Sequence, residues 1–301
     1  MPRVERTSFD FDLPAPAPGS ASAVTRGGGR TVEVPWSLVV PEVDVYLVGY
    51  GNRLPNDFTL ELLAVLNRCT RRFGVPPIHA PDFGIGPVES LMHLYDPGKR
   101  RLETYAEWAR IVLDAAAADP PVAFATYGSA MVGALAMHHI LEQAQHRGLT
   151  VHVSHAASSL DGIWADFGID PCDGVSIWEA SVFLRLQIVP DPRAHLLLPQ
   201  APMLDVKGGI DTASMRLEAS STVARLRDHL LRFYPPEHPV HFDTTASGAG
   251  ADMLVSHVET LALADLDHPG SHPGSTLLVP RLEHEAQPAA AASTVAVKKH
   301  R

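Results

Sequence analysis

The stretch VAFATYGSAMVG, residues 122–133, places Tyr127, Gly128 and Ser129 directly after a short apolar run. Its first four residues suit a buried strand, and its Ala- and Met-rich end is typical of the start of a helix. In open α/β sheets, ligands bind beside the carboxyl ends of the strands, where the N-terminus of the next helix offers free N–H groups. We therefore predict that these three residues line a ligand site.

Two other predicted strands also end in small residues. VDVYLVGYG, residues 43–51, reads as a strand that ends in Gly49 and Gly51, and glycine lets the backbone approach a ligand closely. Ser158 and Ser159 stand where the predicted strand LTVHVSHA gives way to a helix. Serines at such a junction either cap the helix or bind oxygen atoms of a ligand, and both interpretations stay open.

Composition narrows the class of ligand. The formal net charge of −10 argues against nucleic acid and against an anionic membrane surface, because both need a clustered excess of Lys and Arg. The main basic run, Lys99 to Arg101, is too short to follow a polyanion. With 46% hydrophobic residues in 301, the chain can bury a substantial core.

No motif for metal or hydrolase chemistry is present. His138 and His139 are adjacent on a predicted helix and point apart, and neither HExxH nor GxSxG occurs. Cys69 and Cys172 stand alone, which favours a reducing compartment. Neither an apolar run of membrane-spanning length nor a signal peptide is evident. We therefore expect a soluble, cytoplasmic protein without a metal.

Strand and helix patterns alternate from residue 43 onward, with a strong helix over 101–118, which implies a mainly parallel sheet covered on both faces. After Pro190 the pattern changes. A second α/β lobe is indicated by a strand AHLLLPQ, a helix over 212–234, and then VHFDTT, MLVSHVETLALADL and STLLVP as strand, helix and strand. The predicted organisation is a disordered segment 1–35, an N-terminal α/β lobe 36–185, a C-terminal α/β lobe 186–284 and a flexible tail 285–301.

These strand ends carry a resemblance to a known family. The runs LVGYGNRLPNDFTLELL, VAFATYGSAMVG and SSLDGIWADFGIDPCDGVSIWEASVFL resemble the tetrapyrrole methylase superfamily, and the resemblance extends over residues 43 to 281. It implies a two-lobed α/β fold, with a mainly parallel sheet in the N-terminal lobe and a mixed sheet in the C-terminal lobe. It also implies that S-adenosylmethionine binds in the cleft and leaves as S-adenosylhomocysteine.

Within the superfamily, the resemblance is greatest to one branch. HLYDPGKRRLETYAEWARIVLDAA, FATYGSAMVG and WADFGIDP are similar to the borosin peptide backbone α-N-methyltransferases. The resemblance implies methylation of backbone amide nitrogens in a ribosomal precursor peptide.

The resemblance also implies which residues contact the cofactor. The turn at Tyr127 would surround the sulfonium with carbonyl oxygens and an aromatic face, which favour a cation. Residues 200, 201 and 276 fall where relatives contact the nucleoside. The implied cofactor-binding residues are Gly49, Gly51, Tyr127, Gly128, Ser129, Val132, Gly133, Ser158, Ser159, Gln200, Ala201 and Thr276.

Tyr95, Arg101, Tyr105 and Tyr127 match residues that relatives use at the methyl-transfer centre. A peptide nitrogen shares its lone pair with the carbonyl, so the enzyme must take its proton and stabilise charge on the oxygen. Arg101 would hold a phenolate or an imidate oxygen, and a perturbed tyrosine would act as base or donor. Periodicity alone instead makes Tyr105 a core-facing residue and Arg101 a solvated charge at a helix start.

The chain departs from the family pattern in two places. His155 and Ala156 stand where the superfamily usually has Pro-Gly, and Met92 stands where peptide-methylating relatives often carry a tyrosine. These departures keep open a non-catalytic protein that binds the cofactor and a peptide. The other alternative is a tetrapyrrole C-methyltransferase that acts on a porphyrinoid or corrinoid.

The C-terminal segment is short beside the clasp and substrate segments of the fused enzymes in this branch. At about 3.5 Å per extended residue it leaves little room for both. We therefore expect a precursor peptide supplied in trans, and a symmetric homodimer.

Overall fold

A computed structural model describes residues 38–96, 98–204, 221–249, 255–267 and 274–282. Their contacts form two compact units. The first unit holds the described residues up to Gly51, Asp57–Leu94 and Tyr105–Ala156. The second holds Asn52–Asn56, Tyr95–Thr104 and the described residues from Ala157 onward. The predicted lobe limits stay a prediction. The predicted disordered segment 1–35 and the predicted flexible tail 285–301 lie outside the described residues.

The regular elements are numbered in chain order. The α-helices are α1 (Leu60–Arg68), α2 (Arg101–Ala118), α3 (Leu135–His146), α4 (Ser159–Phe167), α5 (Ala180–Arg185) and α6 (Ser221–Leu230). The β-strands are β1 (Val45–Gly49), β2 (Arg53–Leu54), β3 (Arg71–Val75), β4 (Glu89–Ser90), β5 (Val122–Thr126), β6 (Val151–Ser154), β7 (Val175–Ile177), β8 (His195–Pro199), β9 (Pro239–Thr244), β10 (Gly248–Ala249), β11 (His257–Ala262) and β12 (Thr276–Val279). Within the described ranges, none of the helices has the length and apolar character needed to cross a bilayer.

The first unit is built on a five-stranded sheet in the order β4-β3-β5-β1-β6. All of its strand pairs are parallel. Every residue of β1 and β5 is buried, as expected for strands covered on both faces. The mainly parallel sheet predicted for the N-terminal region is confirmed. It brings the carboxyl ends of β1, β5 and β6 to one edge.

Helix α2 packs one apolar face into the first unit. Ala109, Val112 and Leu113 are fully buried, as the spacing of apolar residues predicts. The indole N–H of Trp108 donates to the carbonyl oxygen of Leu91 at 2.9 Å. This bond fixes the helix to the chain segment that precedes it.

Side-chain caps begin several of the helices, α1 and α4 among them. Thr59 precedes α1, and its hydroxyl accepts from the backbone N–H of Leu62 at 3.0 Å. Ser158 precedes α4 in a capping box with Asp161, whose carboxylate accepts from the backbone N–H of Ser158 at 2.6 Å. Each cap satisfies N–H groups that have no partner inside the helix, so the local sequence fixes where these helices start.

The second unit has a mixed five-stranded sheet in the order β11-β9-β12-β8-β7. The pairs of β9 with β11 and β12, and of β8 with β12, are antiparallel, while β7 and β8 are parallel. One face packs with α5 and α6, where Phe183, Val223 and Leu226 are fully buried. The other face packs with α4 through Ile163 against Leu197 and Leu278. The mixed sheet predicted for the C-terminal region is confirmed.

One predicted helix of the second unit is wrong. MLVSHVETLALADL was predicted as a helix, but its described part forms strand β11, antiparallel to β9 from His257 opposite Thr244 to Ala262 opposite Pro239. A short apolar segment satisfies helical and strand spacing alike, and the free hydrogen-bonding edge of β9 decides between them. The helix predicted over 212–234 is present as α6, and residues 212–220 lie outside the described residues.

Asp243 is an unusual member of the second core. Its side chain is only 1% exposed, and neither carboxyl oxygen has a hydrogen-bond partner. Burial, together with the nearby carboxylate of Asp166, raises its pKa to about 7. The folded protein therefore holds a proton that the unfolded chain releases at a much lower pH.

This proton makes the stability of the second unit depend on pH. Because the pKa of Asp243 is higher in the folded state, unfolding releases a proton, and stability falls as the pH rises from about 4 to about 7. Each pKa unit corresponds to about 1.4 kcal/mol, so the unchanged protein should lose on the order of 3 kcal/mol of stability between pH 5 and pH 8. We expect Asp243→Asn not to show this loss. Urea unfolding at pH 5 and pH 8 measures it.

The matched control is Glu237→Gln, which neutralises an exposed carboxylate in the same unit. It should lose as much stability between the two pH values as the unchanged protein. An equal loss in Asp243→Asn would show that Asp243 is ionised in the fold.

Candidate functional site

The ends of β1 and β5 meet through glycine backbone. A Cβ atom added at Gly49 would lie 2.3 Å from the carbonyl oxygen of Gly128 and 3.0 Å from the backbone nitrogen of Ala130. The N–H of Gly128 donates to the carbonyl of Gly51 at 2.8 Å, and the N–H of Gly51 donates back at 3.2 Å. Gly51 and Gly128 both have positive φ, at 73° and 62°, which glycine adopts without strain. The structure thus brings together three of the residues that the sequence analysis singled out.

Tyr127 stands at this edge and faces solvent. The backbone on both sides of it is held, because the carbonyl of Thr126 accepts from the N–H of Tyr50 at 3.0 Å and Gly128 bonds to Gly51. Its side chain is 61% exposed directly after a fully buried strand. A ring so placed offers a π face and a phenol to a ligand at the carboxyl end of the sheet.

Tyr50 is a second tyrosine at the same edge, and the sequence analysis did not single it out. It is buried, and its hydroxyl donates to the carbonyl of Pro76 at 3.1 Å. Burial first, and then the neighbouring Tyr127 phenol, raise the pKa of Tyr50 far above its usual value. Tyr50 therefore stays neutral, and its hydrogen bond to Pro76 holds the chain in place at the carboxyl edge of the first sheet. Its partner lies 26 residues further along the chain, so no local pattern indicates this contact.

The turn between β5 and α3 holds three more predicted residues. The hydroxyl of Ser129 accepts from the N–H of Met131 at 3.3 Å, and its carbonyl accepts from the N–H of Val132 at 3.3 Å. Val132 and Gly133 are exposed, and Gly133 has a φ of 67°. These bonds fold residues 129–133 into a tight turn that presents backbone to solvent.

The end of β6 adds a residue that was missed. Ser154 pairs with Val48 beside the end of β1, and its hydroxyl is buried without a hydrogen-bond partner. A small polar residue at a strand end was the signal that could have indicated it. The next residue, His155, is exposed, and Ala156 packs so closely on Gly49 that an added Cβ would be 2.8 Å from its methyl group.

In the second unit, Ser158 and Ser159 lie at the start of α4. The hydroxyl of Ser158 is buried and accepts from the N–H of Leu160 at 3.1 Å. The cap interpretation of Ser158 therefore describes the fold, and ligand binding by Ser158 and by the half-buried Ser159 stays a prediction.

The residues assigned to the nucleoside converge on one edge of the second sheet. Thr276, the first residue of β12, lies in register with Pro199 of β8 on one side and with Asp243 of β9 on the other. Gln200 follows Pro199 with a positive φ of 60°, and the buried Ala201 begins a single 3-10 turn. Binding of the nucleoside by Gln200, Ala201 and Thr276 stays a prediction. Asp243, which lies beside them, was not singled out from the sequence, although it is a charged residue inside an apolar strand pattern.

Arg101 and Tyr105 are four residues apart on α2, a spacing that places both on one face of a helix. Tyr105 is half-buried, and its ring lies 5.3 Å from the ring of Trp108, centroid to centroid. Arg101 is the first helical residue and half-buried, and Tyr95 is half-buried in the segment before α2. The partial burial of Tyr105 against Trp108 thus agrees with the core-facing interpretation, while its catalytic role stays a prediction.

No group of three or more His, Cys, Asp or Glu side chains suited to hold a metal ion is found in the described part of the chain. The site residues present there are phenols, hydroxyls, an amide, a guanidinium and backbone groups.

Comparison with known proteins gives the family. A family model described as Tetrapyrrole (Corrin/Porphyrin) Methylases matches residues 44–262. A methyltransferase/ribosomally synthesized type I borosin cyclic peptide precursor of Serendipita vermifera is 28% identical over 208 residues, which cover 67% of this chain and 48% of the relative. A type II borosin precursor of Phlebiopsis gigantea is 28% identical over 79% of this chain and 43% of the relative. The chain thus spans about half the length or less of these curated relatives.

Solved structures share the fold. Uroporphyrin-III C-methyltransferase from Thermus thermophilus, in a complex with S-adenosyl homocysteine, superposes with a TM-score of 0.52 at 18% identity over 78% of this chain and 96% of that chain. The methyltransferase CobJ gives 0.52 at 16% identity over 79% and 93%. At this identity the likeness extends to the fold alone.

The contact at Gly49 leads to a stability prediction. Gly49→Ala pushes a methyl group onto the backbone of residues 128 and 130, so we expect a loss of about 3 kcal/mol from overpacking that the backbone cannot relieve. Gly86→Ala is the matched control, because its methyl group would meet only the guanidinium at the end of the long Arg72 side chain, at 3.2 Å. Urea unfolding of both variants measures the difference, and equal stability would contradict the close contact.

Proposed function

Because the chain belongs to the tetrapyrrole (corrin/porphyrin) methylase family, we propose that it is an S-adenosylmethionine-dependent methyltransferase that methylates backbone amide nitrogens of a peptide. The observation that carries the proposal is the exposed Tyr127 phenol, held by glycine backbone at the carboxyl edge of a parallel sheet. The borosin names of the curated relatives support a peptide as the substrate.

The residues of the first unit fit such a cofactor. The ring of Tyr127 offers a π face to a cation, and the unpartnered hydroxyl of Ser154 offers a hydrogen bond inside the same edge. S-Adenosylmethionine, when bound, supplies an electrophilic methyl group on a sulfonium. Neither Gly49 nor Gly51 has room for a Cβ atom, because the carbonyl of Gly128 and the methyl group of Ala156 pack on Gly49 and the side chain of Asp57 packs on Gly51.

A peptide nitrogen becomes nucleophilic only when its proton leaves and the charge on its carbonyl oxygen is stabilised. We assign stabilisation of the charge on the carbonyl oxygen to Arg101, whose planar guanidinium presents a fork of N–H donors. We assign removal of the amide proton to a tyrosine, either Tyr127 or Tyr105. Tyr95, which precedes Arg101 in the chain, is a further candidate phenol. The Trp108 contact holds the ring of Tyr105 in place, which reduces the cost of positioning it.

The competing function is C-methylation of a tetrapyrrole, which the family description and the shared fold favour. The third candidate function is that of a cofactor-binding protein without methyltransferase activity. A peptide substrate in trans, a homodimer and a cytoplasmic location stay predictions from the sequence.

One assay separates these functions. The purified chain is incubated with S-adenosylmethionine and either a Val/Ile-rich peptide or uroporphyrinogen III, and each component is weighed by intact-mass spectrometry. We expect mass increments of one CH2 on the peptide, or on the chain itself where the substrate is attached, and fragmentation should place them on backbone nitrogens. Increments on the tetrapyrrole alone would replace the proposal with its competitor. No increments, together with measurable binding of S-adenosylhomocysteine, would favour the inactive protein.

The role of the Tyr127 hydroxyl gives a further prediction. Tyr127→Phe keeps the ring and removes the phenol, so we expect a turnover number lower by about 100-fold with little change in cofactor affinity. Tyr234→Phe is the matched control, because that buried hydroxyl has no hydrogen-bond partner and its loss should change nothing. Full activity in Tyr127→Phe would exclude a catalytic role for the hydroxyl.

A further inference from the structure

The carboxyl group of Asp243 lies inside the second unit without a hydrogen bond to either oxygen. Buried polar side chains in native proteins nearly always have a partner, and an orphan group indicates a water molecule, an ion or a ligand. The site residues assigned above do not use it. Its position in the sheet shows what kind of partner it would meet.

Asp243 lies at the sheet edge that carries the nucleoside positions. It is directly opposite Thr276 on the neighbouring strand, and residues paired in this way have Cβ atoms about 5 Å apart on the same face. Thr276 in turn lies opposite Pro199, next to Gln200. The hydroxyls of Thr244 and Ser275 bond to each other at 2.6 Å, which leaves the carboxyl of Asp243 as an unused polar group in this row.

The surroundings of Asp243 favour its neutral form at pH values below about 7, where it is a hydrogen-bonding group rather than a counter-ion. Asp166 faces it from α4 and opposes a second negative charge, and burial raises the pKa of Asp243 to about 7. On its own strand His241 shares the face, and burial lowers the pKa of that imidazole, which keeps it neutral. Thr276 from β12 and Val258 from β11 carry no charge.

We propose that Asp243 recognises the adenine edge of S-adenosylmethionine, accepting a hydrogen bond from the exocyclic amino group and donating one to ring nitrogen N7. The inference rests on the proposed function. A neutral carboxyl presents an acceptor and a donor side by side, the same pattern with which Asn and Gln side chains read adenine. Asp243 is one residue from the end of β9 and pairs with Thr276, the first residue of β12, so it stands at the same sheet edge.

The test uses calorimetry with S-adenosylhomocysteine, which binds without methyl transfer and needs no second substrate. Asp243→Asn keeps an acceptor and a donor, so its dissociation constant should stay close to that of the unchanged protein. Asp243→Val keeps the shape but removes both groups, and its affinity should fall about tenfold or more. Glu237→Gln changes an exposed carboxylate elsewhere in the second unit and should leave the affinity unchanged.

A second arm uses the unchanged protein and does not depend on how the variants fold. The inosine analogue of S-adenosylhomocysteine lacks the amino group and should bind about tenfold more weakly, whereas the 2′-deoxy and 3′-deoxy analogues should lose nothing through Asp243. In Asp243→Val the inosine analogue should cause no further loss of affinity, because the substitution and the analogue each remove the same interaction.

Equal affinity of Asp243→Val and the unchanged protein for S-adenosylhomocysteine would overturn the inference, as would equal binding of the inosine analogue. A ribose analogue that loses affinity only when Asp243 is present would also overturn the adenine assignment. Absence of any binding to the unchanged protein at millimolar concentration would instead reject the proposed function itself.

Discussion

The ends of β1 and β5 are so close that only hydrogen atoms fit on Gly49. Strand β1 lies between β5 and β6 in the first sheet, and its last residue packs on the backbone of the loop after β5 and on the methyl group of Ala156 after β6. Because these contacts involve only backbone atoms and one methyl group, the distances among the three strand ends do not depend on side-chain rotamers. The tight turn after β5 and the exposed tyrosine within it take their positions from this contact.

The second unit differs from the first, because its sheet edge contains buried polar groups that need hydrogen-bond partners. Thr244, Ser275 and Thr276 are satisfied or placed by their neighbours, while Asp243 is left with a carboxyl that the fold does not satisfy. Such a group lowers the stability of the fold that contains it. Ligand sites commonly carry groups of this kind, because an interaction reserved for a ligand cannot also be used within the protein. The two units therefore offer different chemistry, aromatic and backbone groups in the first and side-chain hydrogen bonding in the second.

Much of this architecture could be predicted from local pattern. Helix α2 has the predicted bounds, and the strands with small residues at their ends lie where the sequence analysis placed them. The errors and omissions share one cause, which is dependence on a distant segment. Residues 257–262 became a strand because β9 offers an edge, Tyr50 is held by Pro76, and the isolation of Asp243 follows from the register of β9 against β12. Periodicity reports which face a residue takes, but it does not report which residue stands opposite.

The way in which Tyr127 is held has an evolutionary consequence. Hydrogen bonds from Tyr50 to Thr126 and between Gly51 and Gly128 fix the main chain immediately before and after it, so the path of the chain at residue 127 does not require a tyrosine. Another side chain at this position would be presented from the same point in the scaffold. A lineage can therefore exchange the side chain at this position by a single codon change without altering the main-chain contacts on either side. Position 127 is thus a place where new reactions can arise on an old framework.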